Sequence, residues 1–298
     1  MKPKLLFPDL VLKLNEKNID NGTYTPEEII EYLSQRSYYY KISSYRKNFP
    51  KDAEGKYVSL TFNHLVAVAK LDVRLREYFL NLCLDVEHST RTNLMTILTE
   101  DIDEDGYTII ENFQDEFPEK FNDILEHFRN NKYKKDMFTK RTQISVWVFM
   151  EIIDYGTLIQ FLEFYRKKAT HRDKLYPVQH KFIKNVRNTC AHNDVFLINL
   201  FDKEDFITRP APATKSFAND MNINNGLVRY PKVVDIINLF YVHKRICSND
   251  LNSRRFNEGK VILEKYYNET DLFNISVSLK KFFESILVKC IDFLDTND

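Results

Sequence analysis

A short motif near residue 190 carries side chains that can act on a phosphodiester. Residues 187–192 read R-N-T-C-A-H, so His192 follows Arg187 by five positions and Asn188 by four. At about 100° per residue, Asn188 and His192 lie about 40° apart on a helix, whereas Arg187 lies about 140° from His192. Asn188 is therefore placed to orient the imidazole, and Arg187 must reach round the helix or act across an interface.

These three residue types suit metal-free cleavage of RNA. In that reaction a 2′-hydroxyl attacks the adjacent phosphate and leaves 2′,3′-cyclic phosphate and 5′-hydroxyl ends. Histidine has a reference pKa near neutrality and moves protons well, while arginine presents a planar fork of donors that matches phosphate oxygens. We therefore consider Arg187, Asn188 and His192 as candidate catalytic residues. The same spacing is also typical of an ordinary polar helix face, and spacing alone leaves both interpretations open.

The charges are arranged in opposed blocks although the net charge is zero. Residues 161–187 carry eight Lys and Arg against two acidic residues, whereas residues 100–126 carry eleven acidic residues against one Lys. A local basic field attracts phosphate even on a neutral protein. The candidate RNA-backbone contacts are Arg166, Lys167, Lys168, Arg172 and Lys184. A solvated basic face is the alternative interpretation of this segment.

A tyrosine-rich stretch lies much earlier in the chain. Residues 36–46 read R-S-Y-Y-Y-K-I-S-S-Y-R, with basic residues on either side of the aromatic ones. Tyrosine rings can stack on RNA bases. The alternative is an aromatic cluster that docks an N-terminal module on the rest of the chain.

The elements that must position these residues are predicted to be helices. Only six glycines occur in 298 residues, which argues against phosphate-binding glycine loops, dinucleotide folds and glycine-rich β architectures. Thr25, Pro26 and Glu28 form the signature of a capped helix start. Apolar periodicity predicts further helices over 61–94, 144–164, 177–190, 231–247, 257–267 and 276–294. We expect an all-α protein.

The domain organisation follows from these patterns. Residues 1–60 are predicted to form a small N-terminal helical module, and residues 61–298 a helical domain with additional C-terminal helices. The acidic stretch near 100–126 is expected to be an insertion. On the long helix that begins near residue 61, Asp72 with Arg76 and Glu87 with Arg91 have the spacing of ion pairs along one face.

The sequence predicts neither metal nor cofactor. The four cysteines lie far apart and no Asp, Glu and His cluster has metal-ligand spacing, so neither a disulfide framework nor a zinc site is indicated. No 18-residue apolar run and no signal peptide is present, so we expect a cytoplasmic protein without a membrane partner.

Four segments carry a family resemblance. They are S-Y-Y-Y-K-I-S-S-Y at 37–45, L-D-V-R-L-R at 71–76 with D-V-E-H-S-T-R-T at 85–92, W-V-F-M-E-I-I-D-Y-G-T-L at 147–158, and V-R-N-T-C-A-H-N at 186–193. In order and spacing they resemble the Abi-like (abortive infection, Abi-D/Abi-F type) family of bacterial phage-defence proteins. That family in turn resembles the HEPN superfamily of all-α bundles.

The resemblance implies a function. HEPN ribonucleases use an Arg, a polar residue and a His four to six positions after the Arg, a pattern that Arg187, Asn188 and His192 match. It further implies an HEPN-like helical bundle, an abortive-infection or toxin-type endoribonuclease, and a homodimer in which two motif helices build one composite site. A small structured non-coding RNA or an antitoxin is a possible partner for such a protein. Asn193 and Asp194 stand where more basic or aromatic residues are expected after the His.

Two other functions stay open. HEPN relatives include inactive members, so a non-catalytic RNA-binding or scaffolding module is the main alternative. A DNA-binding regulator is the third, because residues 8–35 have a spacing similar to a helix-turn-helix, with few basic residues.

Overall fold

The protein is an all-α bundle, as the sequence predicts. The computed structural model describes residues 4–134, 143–168 and 175–295, and the side chain of Lys168 lies outside that description. In the described residues no helix has both the length and the apolar character needed to cross a membrane. The first helices are α1 (Phe7–Asn15), α2 (Pro26–Gln35), α3 (Tyr39–Ser44), α4 (Phe62–Glu100), α5 (Thr108–Glu116), α6 (Pro118–Asn130), α7 (Val146–Ile152) and α8 (Tyr155–Lys168).

The second half of the bundle contains the helix of the R-N-T-C-A-H motif. It comprises α9 (His180–Ala191), α10 (Pro212–Asp220), α11 (Pro231–Ile246), α12 (Asn249–Asn268), α13 (Thr270–Phe273), α14 (Val277–Phe282) and α15 (Val288–Asp292). Residues Phe283–Leu287 form a π-helical segment that joins α14 to α15. Two-residue strands, β1 (Ile19–Asp20) and β2 (Leu60–Thr61), pair in parallel.

The start of α2 is the one that its sequence predicts. The Thr25 hydroxyl accepts from the Glu28 amide at 3.2 Å, and the Glu28 carboxylate accepts from the Thr25 amide at 2.8 Å. Pro26 occupies the first turn. This reciprocal cap satisfies two backbone donors that a helix start leaves free.

The long helix α4 is the centre of the bundle. Its buried side chains run from Phe62 to Leu98, and helices α9, α11 and α12 pack against it. Both ion pairs predicted on it are present, Asp72 with Arg76 at 2.9 Å and Glu87 with Arg91 at 2.8 Å. The helix is longer than the predicted 61–94 and ends at Glu100.

The prediction of one helix over 144–164 is wrong in detail. The segment is divided into α7 and α8, and Asp154 lies between them. The Asp154 side chain accepts from the Thr157 amide at 2.6 Å, which caps the start of α8. An Asp in this position supports a new helix start better than a helix interior, because its carboxylate satisfies a free amide. The apolar pattern continues through the break because both helices are buried.

The acidic stretch near 100–126 forms α5 and α6. Their inner faces are buried, with Ile110, Phe113 and Phe121 among the core residues. The Phe113 ring lies 5.3 Å from the rings of Phe149 and Phe161, so this stretch covers the core around α7 and α8. Its carboxylates are on the outer faces, where solvent screens them.

A buried carboxylate links three parts of the chain. Asp72 of α4 accepts from the Tyr45 hydroxyl at 2.8 Å and from Arg76 Nε at 2.9 Å. Its other oxygen accepts from the amides of Phe196 and Leu197 at 3.0 and 2.7 Å. The side chain has no solvent exposure. Asp72 therefore joins the N-terminal segment, the central helix and the segment that follows the motif.

The first residue of α9 is a buried histidine. His180 has one ring nitrogen 2.8 Å from the Tyr155 hydroxyl and the other 3.0 Å from the Leu175 carbonyl oxygen. Burial lowers the pKa of His180 to about 4. The neutral ring is therefore the form that holds α9 against α8.

We predict that Asp72→Asn lowers the free energy of unfolding by about 3 kcal/mol, because Arg76 then remains buried without its counter-charge. Urea denaturation measures the loss. Glu87→Gln is the control. It removes a carboxylate from the ion pair with Arg91, which has the same spacing on α4 but is only half-buried. Its expected cost is about 1 kcal/mol. Equal losses in the two variants would contradict the importance of the Asp72 network.

We also predict an acid-dependent loss of stability from His180. Its folded pKa lies below the unfolded value, so its contribution is present above about pH 6.5 and declines as pH falls towards 4. Between about pH 7.5 and pH 5 the loss should be about 2 kcal/mol. His180→Gln should remove this dependence, whereas His88→Gln, at an exposed position of α4, should keep it. The measurement is urea denaturation at the two pH values.

Candidate functional site

Helix α9 carries the motif on the edge of the bundle. Its buried stripe, Ile183, Val186 and Cys190, packs towards α4 and α11. This stripe leaves Arg187 and Asn188 half-buried and His192 exposed. The apolar spacing that predicts the helix therefore also decides how far each motif residue reaches solvent.

Helix α9 ends at Ala191, and His192 caps that end in a Schellman motif. The Asp194 amide donates to the Thr189 carbonyl at 3.0 Å, and the Asn193 amide donates to the Cys190 carbonyl at 3.1 Å. Asn193 has a φ of 59°, the left-handed conformation that such an end requires and that asparagine tolerates better than most residues. An Asn after the His is thus explained by backbone geometry. His192 is the last residue before the chain leaves the helix.

Two basic side chains hold the turn after His192. Arg76 donates through Nη1 to the Asn193 side-chain oxygen, and Lys41 Nζ donates to the Asn193 carbonyl oxygen at 2.7 Å. Arg76 is itself held by Asp72, as described above. Burial and the neighbouring Arg76 lower the pKa of Lys41. The backbone at His192 is therefore fixed by groups from α3 and α4, which lie more than 100 residues away in sequence.

The imidazole itself is available to a substrate. The His192 amide donates to the Asn188 carbonyl oxygen at 2.9 Å, which is a helical backbone bond. In the part of the chain that the structure describes, no hydrogen bond involves the His192 ring. A fixed backbone with a free ring nitrogen is what a general acid or base needs.

Arg187 lies on a different side of α9. Its Nη1 donates to the Asn188 side-chain oxygen at 3.3 Å, and its Nε is buried without a hydrogen-bond partner among the described residues. Burial raises the pKa of Cys83 in α4, and the positive charge of Arg187 partly offsets that rise. Arg187 therefore lies near Cys83 of α4, whereas His192 lines the cleft beside α3.

Asn188 does not make the side-chain contact that its spacing suggests. Its side-chain oxygen accepts from Arg187 and its backbone oxygen accepts from His192. No hydrogen bond between the Asn188 amide and the imidazole occurs within the described residues. In a single chain, Asn188 is hydrogen-bonded to both of the other motif residues, and no hydrogen bond joins Arg187 to His192 within the described residues.

The predicted basic segment is only partly brought together. Arg166 and Lys167 are exposed on α8, and Lys167 pairs with Glu116 of the acidic stretch at 3.1 Å. Lys184 is exposed on α9 and its Nζ lies close to Gly156. Arg172, and the side chain of Lys168, lie outside the described residues.

The structure instead places other basic residues in the same cleft as His192. This cleft, of about 830 Å³, lies between residues 5–47 and the turn at Asn193. The basic residues that line it are Lys13, Lys17, Lys41, Arg46 and Lys47. Lys41 and Arg46 belong to the tyrosine-rich stretch, a sequence feature that could have indicated this cleft. Lys13, Lys17 and Lys47 carried no such signal, because only the fold brings them to the motif.

No metal-binding cluster of three or more His, Cys, Asp or Glu side chains is present among residues 4–134, 143–168 and 175–295. The four cysteines are free and buried. Burial raises the pKa of Cys190, next to the motif, to about 12. The cysteines therefore serve the core of the bundle as small apolar side chains.

Comparison with known proteins identifies the family. The family model for Abi-like protein matches residues 31–197, more than half of the chain. The match includes α4, α9, the Asp72 network and the whole R-N-T-C-A-H motif. No curated protein and no solved structure matches the chain. The family model extends over the elements that build the candidate site, and the chain belongs to the Abi-like protein family.

Proposed function

We propose that this protein is a metal-independent endoribonuclease of the HEPN type that acts as an abortive-infection or toxin-type effector of phage defence. Membership of the Abi-like family suggests a role in abortive infection. The observation that carries the proposal is the state of His192, an exposed and unbonded imidazole on a backbone that Lys41 and Arg76 hold in place. The order of Arg, Asn and His resembles the motif of HEPN ribonucleases, and the four segments quoted above resemble the Abi-D/Abi-F type.

In the proposed reaction His192 moves a proton and Arg187 binds phosphate. The RNA 2′-hydroxyl attacks its own 3′-phosphate, and the bond to the 5′-oxygen of the next nucleotide breaks. His192 takes the hydroxyl proton as general base, and the leaving 5′-oxygen takes a proton from water. Arg187 stabilises the charge on the phosphoryl oxygens. The products carry 2′,3′-cyclic phosphate and 5′-hydroxyl ends.

A homodimer reconciles this chemistry with the separation of the two side chains. Arg187 lies near Cys83 of α4 and His192 lines the cleft beside α3, and the helical repeat places the two about 140° apart on α9. Two α9 helices that face each other across a two-fold axis would place Arg187 of one chain near His192 of the other. We propose a cytoplasmic homodimer with an RNA substrate, restrained by an antitoxin or by a small structured RNA.

The second candidate is a non-catalytic RNA-binding or scaffolding module. One observation favours it, namely that Arg187 engages Asn188 rather than a position beside His192. A module of this kind would bind RNA without cutting it. Cleavage assays separate the two functions directly.

We predict that His192→Ala and Arg187→Ala each lower RNA cleavage by about 100-fold or more, because each removes a group that acts on the transition state. The assay is cleavage of a labelled RNA by purified protein in EDTA, with the product ends identified by mass spectrometry. His127→Ala, which removes an exposed histidine of α6, is the control and should cut at the wild-type rate. Circular dichroism should show unchanged helix content in every variant.

Two results would overturn the assignment. Full activity of purified His192→Ala removes the proposed general acid or base. Products with 5′-phosphate ends indicate hydrolysis, which is the outcome of a metal-assisted mechanism.

We predict that two inactive variants restore cleavage when they share a dimer. Arg187→Ala and His192→Ala chains are co-expressed with different tags, and the heterodimer is purified and assayed. If Arg187 of one chain acts with His192 of the other, one of the two sites is intact and the heterodimer shows about half of the wild-type activity, whereas sites built within single chains show none. Sedimentation velocity during turnover provides the second measurement. A fully active monomer contradicts the shared site.

A further inference from the structure

Two clefts flank the turn that follows His192. The first is the cleft of about 830 Å³ described above. The second, of about 780 Å³, lies between α2, α3 and α4. Tyr38, Lys41 and Asn193 line both, so the two clefts meet at the turn that Lys41 and Arg76 hold. Together they form one track, the motif track, along the N-terminal module past the imidazole.

The motif track is basic along its length. The first cleft carries five Lys and Arg residues against Asp194, and the second adds Arg36, Lys70, Arg74 and Arg76 against Glu77. Several of these cations form no ion pair within the described ranges: Lys13, Lys17, Arg36, Lys47, Lys70 and Arg74. On a chain of zero net charge this is a local concentration of free positive charge. A polyanion is the ligand that matches it.

Two exposed tyrosines line the same track. Tyr40 is 81% exposed and Tyr38 is 62% exposed, which is unusual for large aromatic side chains. Their neighbours Ile42 and Tyr45 are buried and anchor α3 to the bundle. The segment therefore presents two aromatic faces on a fixed support. Free aromatic faces between cations are the features with which proteins bind unpaired bases.

We propose that the motif track binds a single strand of RNA, with phosphates on its lysines and arginines and bases stacked on Tyr38 and Tyr40. This inference rests on the proposed function, because it supplies the path by which a scissile phosphate reaches His192. Stacking needs bases that are not paired, so the ligand is single-stranded rather than duplex RNA. The path differs from the segment 161–187, where Lys167 is already paired with Glu116.

Binding is measured without cleavage in the His192→Ala chain. The probe is a fluorescein-labelled RNA of about 12 nucleotides without internal pairing, followed by fluorescence anisotropy between about 50 and 200 mM KCl. Lys13→Gln, Lys17→Gln and Lys47→Gln combined should reduce the slope of log K against log salt by about 2, since each lost phosphate contact removes about 0.7. The matched control replaces Lys203, Lys215 and Lys280, three exposed lysines outside the track, and should leave the slope unchanged.

Stacking is tested separately from charge. Tyr40→Ala should weaken binding about fivefold or more, while Tyr40→Phe should retain it because the ring remains. Tyr133→Ala is the control, since Tyr133 is 97% exposed and lies outside the track. The duplex of the same sequence should bind more weakly than the single strand.

The outcomes separate this inference from the proposed function. The inference would be overturned if the lysine variant and the Tyr40 variants all kept the original affinity and salt slope. Equal binding of the duplex and the single strand would also overturn it. If the same variants, made with His192 intact, still cut RNA although the motif track is not the binding path, the ribonuclease proposal stands. Loss of binding in the track variants, together with no cleavage by any chain, supports the track and rejects the ribonuclease.

Discussion

The buried carboxylate of Asp72 is the interaction on which the arrangement of the site depends. It accepts hydrogen bonds from Tyr45, Arg76 and two backbone amides of residues 196 and 197. Burying a carboxylate costs hydration free energy, and such a group is tolerated only when hydrogen-bond donors surround it. Because the donors come from three separate parts of the chain, satisfying Asp72 fixes those parts relative to one another. Arg76 then extends the same network to Asn193, one residue after the candidate catalytic histidine.

Much of the fold could be predicted from local patterns. The capping box at Thr25 and the apolar stripe of α9 each depend on residues within a few positions of one another. The error at 144–164 has a physical cause, since apolar periodicity does not distinguish one buried helix from two. The signal for the break was a single polar residue, Asp154, whose carboxylate caps α8. The acidic stretch likewise reads as an insertion by charge, although its apolar residues are buried around Phe113.

The candidate site was predictable in its residues and not in its surroundings. The identities of Arg187, Asn188 and His192, and their place on one helix, follow from the sequence and its periodicity. The bonds from Lys41 and Arg76 to Asn193 do not, because they join residues 152 and 117 positions apart. The basic residues of the motif track are scattered along the chain in the same way. Only the fold brings the cleft of Lys13 and the cleft of Lys70 together at the turn of Asn193.

The two interpretations of the tyrosine-rich stretch, docking against the bundle and stacking on RNA bases, do not exclude each other. Tyr45 is buried and bonded to Asp72, and Tyr39 packs partly into the core, so the stretch packs against the rest of the bundle. Tyr38 and Tyr40 lie in the same short segment and remain exposed. A ring exposed on a flexible segment would lose conformational entropy when a base stacks on it. Because Tyr45 and Ile42 already fix the backbone, that cost is smaller for Tyr38 and Tyr40, and the docking residues thereby preorganise the exposed ones.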